Sequence, residues 1–154
     1  MPPFTQALII ANVAVFLLAQ AGFGWLGEFA LWPLGSGLFM PWQVITYAFL
    51  HGGLTHLTFN MFGLWMFGSE LEQVWGSRRL AAFYFVSVLT AAVQLTVTAT
   101  LGSNVPTVGA SGGIFGLLIG FAMVFPHRTI TLLLPPIPLR SEEHTSELQS
   151  LTNL

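Results

Sequence analysis

Apolar residues in this chain fall into four long runs separated by polar or aromatic-rich stretches. The runs cover about Gln6 to Phe23, Leu50 to Gly68, Leu80 to Leu101 and Ser111 to Phe125. A helix crossing a bilayer needs about 20 apolar residues, within a range of roughly 17–25. The first three runs meet that length and the fourth is shorter; all four are read as transmembrane helices. The third is the cleanest, with only small hydroxyls and Gln94 as mid-span polar side chains. Between the first two runs lies a segment holding Trp25, Trp32, Trp42, Pro33 and Pro41, too irregular to cross. Tryptophan's apolar ring and polar N–H are both satisfied at the bilayer interface, and this segment is expected there.

Composition agrees with an all-α membrane protein. Hydrophobic residues make up 54% of the 154 and charged residues 6%, against about 25% charged in a soluble domain. Mean hydropathy is +0.75. The absence of cysteine excludes disulfides and thiolate metal sites. A formal net charge of −2 argues against nucleic acid as a partner, since that needs a basic patch. The N-terminus, Met1-Pro-Pro-Phe-Thr-Gln6, lacks the positive region of a secretory signal peptide.

The few arginines orient the bundle. Arg78 and Arg79 fall between the second and third runs, and Arg128 follows the fourth. If each run crosses once, both sites lie on one side, which the positive-inside rule makes cytoplasmic. The N-terminus is then cytoplasmic and the Trp-rich loop external. The second run enters from outside at His51 and the fourth at Ser111, so their polar starts can meet just below one face. The neutral, lysine-free composition favours a bacterial plasma (inner) membrane.

Residues 140–154 break these trends. They are polar and acidic, abrupt after Pro135-Pro-Ile-Pro-Leu139, and resemble the translation of a short-read sequencing adapter. A genuine acidic amphipathic tail is the alternative. Without them, three arginines balance Glu28, Glu70 and Glu72. The expectation is a membrane domain over residues 4–139, a non-native tail over 140–154, and a natural gene that continues beyond Leu139.

Polar groups inside a bilayer are functional candidates because their burial is costly. Gly109-Ala-Ser111-Gly-Gly113 fits Gly-x-Ser-x-Gly, a nucleophile pattern in soluble hydrolases. Here a helix follows, which puts Ser111 near an N-terminus whose N–H groups can stabilise an oxyanion. The competing reading is close helix packing, since Gly112, Gly116 and Gly120 form a small-xxx-small ridge. His56 and Asn60, four residues apart, share a helix face and offer a ring N–H and an amide donor. Their alternative role is interhelical hydrogen bonding. His51 is expected to cap or line the entrance. A two-histidine metal site is disfavoured because no carboxylate or cysteine shares the face, so neither metal nor cofactor is expected. Glu70 and Glu72, with Gly76, read as an interfacial cap or a salt-bridge cluster with Arg78 and Arg79. His127, beside Arg128, belongs at the cytoplasmic end and is a poor base for Ser111.

Taken together, these runs resemble the rhomboid family of intramembrane serine proteases. The family's helix-two pattern His-x-x-x-x-His-x-x-x-Asn is matched by His51, His56 and Asn60, and its Gly-x-Ser-Gly motif by Gly109, Ser111 and Gly112. Its Glu-x-x-x-Gly turn is matched by Glu72 and Gly76. The resemblance implies a rhomboid-like helical bundle with four of six transmembrane helices present. It implies that Ser111 attacks the scissile carbonyl of a transmembrane protein substrate, with His56, Asn60 and the Ser111 N–H holding the oxyanion. His51, Gly109, Gly112, Gly113, Glu72 and Gly76 would shape the site. Two departures stand out. Trp42-Gln43 replaces the family's common Trp-Arg, and nothing corresponds to helices five and six, the sixth of which carries the family's general-base histidine. The chain as written is therefore expected to be an inactive piece of an active protease. The alternatives are a catalytically inactive, client-binding rhomboid relative and, more remotely, a broken-helix transporter. Loss of helices five and six is expected to leave the Gly112/Gly116/Gly120 ridge partly facing lipid.

Overall fold

The computed structural model describes residues 1–23, 26–99, 101–102, 105–128, 130–131 and 138–139. The tail from Arg140 to Leu154 and Trp25 lie outside the described residues, as do the expectations placed on them.

Helix α1 (Pro3–Gln20) begins three residues before the first apolar run. Proline at the start supplies a preset φ, but no side chain of its own segment caps the helix. The cap comes instead from Glu72, whose carboxylate accepts the N–H groups of Phe4 and Thr5, both at 2.8 Å. A distant carboxylate thus satisfies donors that a helix start leaves unpaired, and its charge suits the positive end of the dipole.

The Trp-rich segment folds into short turns: α2 (Leu26–Phe29), a 3-10 turn at Leu34–Ser36, α3 (Gln43–Thr46) and a second 3-10 turn at Tyr47–Phe49. Gln43 ties them together from a fully buried position. Its Nε2 donates to the carbonyls of Glu28 at 3.0 Å and Leu38 at 3.1 Å, and its Oε1 accepts the Trp32 N–H at 3.2 Å. The acceptor role is one that an arginine in this position cannot fill. Leu31 and Thr107 exchange backbone hydrogen bonds of 2.9 Å in an isolated antiparallel bridge, joining this segment to the approach to Ser111.

The second run is one continuous helical rod in three parts: α4 (Leu54–Gly63), a π-helical turn (Leu64–Gly68) and α5 (Ser69–Trp75). The backbone at each junction stays in the right-handed helical region. The helix starts later than the sequence suggests, leaving His51 in the loop before it. It also continues past the apolar run, with α5 carrying Ser69, Glu70, Glu72 and Gln73 out of the apolar layer. Gly76, at φ +83°, ends it. Helix α6 (Ser77–Ala99) and helix α7 (Ser111–Val124) match the third and fourth runs closely.

By length and composition, Pro3–Gln20 and Ser77–Val97 suffice to cross a membrane, and Ser111–Val124 is a shorter apolar helix. Leu64, Leu71, Leu80, Val88, Ala92 and Leu117 form the buried centre, while Ile10, Val86, Val93, Phe115 and Met123 face outward. Among the described residues the architecture is helical apart from the Leu31–Thr107 bridge and a two-residue antiparallel pairing of Ile130–Thr131 with Pro138–Leu139.

The glycine ridge of α7 packs on α6 and the end of α5, while Gly112 and Gly116 stay half-buried at the edge of an open groove. A Cβ on Gly112 would stand 2.6 Å from the Ala91 Cβ, one on Gly116 would overlap Ser87, and one on Gly120 would lie 2.9 Å from Trp75. Gly113 is closed off by the Tyr84 ring. The missing Cβ atoms let two backbones approach closely, the usual basis of helix association in lipid.

Candidate active site

Charged groups mark one end of the bundle. The Glu72 carboxylate joins the start of α1 to the α5–α6 junction, also accepting the hydroxyls of Thr5 at 2.7 Å and of Ser77. Burial alone would raise the carboxyl's pKa. The Ser77 hydroxyl, the Thr5 and Phe4 N–H groups and the Thr5 hydroxyl together outweigh that and hold it below the ordinary 4.5. Glu70 pairs with Arg128 at 2.7 Å. Of the two sequence readings for this cluster, Glu72 takes the cap and Glu70 the ion pair, though with Arg128 instead of Arg78 or Arg79.

Ser111 stands one helix length away from that end. The 14 residues of α7 span about 21 Å at about 1.5 Å per residue. That is about 10 Å short of a hydrocarbon layer of about 30 Å. The Leu31–Thr107 bridge and Gly109 lead the chain to the start of α7.

The loop before Ser111 is fixed by its two preceding N–H groups. Gly109 N–H donates to the Tyr47 carbonyl at 2.9 Å, and Ala110 N–H donates to His51 Nε2 at 3.4 Å. Both acceptors come from the segment entering α4. His51 is a buried acceptor beneath the loop. The first N–H groups of α7, at Ser111 and Gly112, have no acceptor within their own helix and no side-chain cap.

The structure brings His56 and Asn60 to this loop. Gly109 adopts φ +124°, and a Cβ there would stand 2.7 Å from His56 Cε1, 2.8 Å from His56 Nε2 and 3.6 Å from Asn60 Nδ2. Only glycine lets the backbone lie on the imidazole in this way. The rings of His51 and His56 meet edge-on with centroids 5.0 Å apart. Asn60 is buried, and its Nδ2 makes no hydrogen bond among the described residues. An unspent buried donor is costly and asks for an acceptor.

Ser111 is exposed and opens onto a groove of about 650 Å³ between α6 and α7, lined by Tyr47, Ser87, Gln94, Thr107 and Gly112 among others. Among the described residues, no histidine hydrogen-bonds Ser111. His127 follows α7 at the Arg128 end, a helix length from the serine. No group of three His, Cys, Asp or Glu gathers as metal ligands among the described residues. Sequence reading missed Tyr47, Thr5 and Ser77. The aromatic preceding His51 by four carried no signal of its role, while Ser77, five after Glu72, was a findable partner.

A helical bundle with a serine at the start of a short apolar helix, and with the glycine two residues before it lying on a histidine of a second helix, defines a class of membrane protein. Comparison with known families agrees: residues 38–141 match the Rhomboid domain. The chain belongs to the rhomboid family, a membrane-embedded, multi-pass helical bundle. It is 33% identical over 155 residues to Rhomboid protein 1, mitochondrial, of Saccharomyces cerevisiae, covering 89% of this chain and 44% of that protein. It is 32% identical over 123 residues to Rhomboid protease GluP of Bacillus subtilis, covering 76% and 24% respectively. With Rhomboid protease GlpG of Klebsiella pneumoniae the identity is 33% over 93 residues, covering 56% and 32%. The chain thus spans less than half the length of each of these relatives.

Proposed function

We propose that the protein is an intramembrane serine endopeptidase acting on transmembrane protein substrates, with Ser111 as nucleophile. The observation that carries this is the unspent Asn60 donor beside the Gly109–His56 contact, two residues before the serine. Ser111 Oγ attacks the scissile carbonyl, and the oxyanion is held by the Ser111 N–H, the His56 ring N–H and the Asn60 amide. Each such donor is worth about 3–4 kcal/mol in other hydrolases. The proton removed from Ser111 passes to the leaving amine, whose expulsion gives an acyl-serine that water entering from the near face hydrolyses.

The proton of Ser111 needs a base. His51 accepts the Ala110 N–H, His56 lies on the oxyanion side, and His127 is at the wrong end. The reading therefore assigns the base to a histidine in a natural continuation beyond Leu139, with 140–154 foreign to the protein. It places the protein in a bacterial plasma membrane with its N-terminus cytoplasmic. Sequencing the source gene across the codon for Leu139 tests this. Two further apolar spans, the second with a histidine near the external face, are expected. A genuine stop after Leu154 would overturn the protease reading in favour of an inactive membrane-client-binding protein.

A further inference from the structure

We infer that Tyr47 is a positioning residue for the nucleophile turn, which hangs from its carbonyl while its phenol braces against α6. This rests on Ser111 being the nucleophile. Tyr47 is buried, and its hydroxyl donates to the Val88 carbonyl in mid-α6 at 2.7 Å. Its own carbonyl accepts the Gly109 N–H at 2.9 Å. On the other side of Ser111, a Cβ on Gly112 would stand 3.3 Å from the phenol oxygen. One residue therefore touches the chain on both sides of the serine and fixes it to a third helix. The backbone link sets how far the turn descends, and the phenol sets its distance from α6. His51, four residues on, adds the Ala110 N–H to the same suspension.

A core-filling role alone does not account for this. Phenylalanine would fill the same volume, and Val88 lies mid-helix, so its carbonyl keeps an N–H partner of its own. Tyr47→Phe therefore leaves no polar group orphaned, and it removes the brace without a general loss of stability.

Hydrogen exchange of the chain in lipid nanodiscs reads the brace without any need for catalysis. In Tyr47→Phe, protection of the Gly109 and Ala110 amides falls by up to about tenfold, the factor a neutral hydrogen bond supplies, while Leu117 is unchanged. Tyr84→Phe is the control: it removes a buried phenol that makes no hydrogen bond among the described residues and packs under Gly113. It leaves Gly109 exchange unchanged. In the protein with its natural continuation, Tyr47→Phe lowers kcat with KM unaltered. Unchanged Gly109 exchange in Tyr47→Phe, an equal effect in Tyr84→Phe, or faster exchange throughout the chain overturns the inference. If the wild-type protein shows no Ser111-dependent cleavage, the protease reading fails while the exchange result still decides the brace.

Discussion

The His56 imidazole lies where a side chain on Gly109 would be, 2.7 Å from the position of its Cβ. Gly109 also holds φ +124°, so two demands fall on one residue. Gly109→Ala is expected to cost about 1–3 kcal/mol from the backbone alone and to displace His56 as well. Gly76, at φ +83° with open space around it, bears only the first demand. Equilibrium unfolding should find both alanine variants destabilised, with cleavage lost far more in Gly109→Ala. Equal losses of activity would mean that the His56 contact does not matter.

Asn60→Ala removes the unspent donor. Its expected signature is a lower kcat at unchanged KM, bounded by the roughly 10²–10³-fold that one oxyanion donor contributes. Thermal stability should hold or rise, since a buried group without a partner is removed. A rise in KM with kcat unchanged would assign Asn60 to ground-state substrate binding.

Gly116 meets Ser87 with no space between helices. Gly116→Leu is expected to cost about 1–3 kcal/mol through overpacking, read by unfolding in micelles. A neutral result would show that the α6–α7 contact does not hold the bundle.

Glu72 makes stability depend on pH. Its carboxyl titrates below the ordinary 4.5 when folded, so the charged form is favoured by folding. The stabilisation is complete well above 4.5 and is lost as pH falls below it toward the lower folded value. Glu72→Gln should be less stable at pH 7 and show a flatter acid limb. Parallel wild-type and variant curves would refute the cap.

Glu70 and Arg128, with side chains 41% and 48% exposed, form a surface pair. Arg128→Ala is expected to change stability by no more than about 1 kcal/mol, and less in high salt. A larger loss would show that this end is buried more deeply than the bundle alone suggests.

The helices were legible because lipid demands uninterrupted apolar length, and Ser111, His56 and Asn60 because polar groups within such runs stand out. Their ends were not. The start of α1 is set by Glu72, 67 residues from Thr5, and α5 continues beyond the apolar run because its backbone stays helical through Ser69, Glu70, Glu72 and Gln73. The glycine ridge declared close packing without naming a partner. Ser87 and Ala91, small and four apart on α6, were the matching signal. Tyr47 was illegible because its role exists only once Val88 and Gly109 lie on either side of it.

The most direct measurement is cleavage of a single-span substrate in proteoliposomes by the protein with its natural continuation. The wild type should cut it, Ser111→Ala should not, and the chain of residues 1–154 should not. Cleavage that survives Ser111→Ala, or that the 154-residue chain performs unaided, would contradict the account.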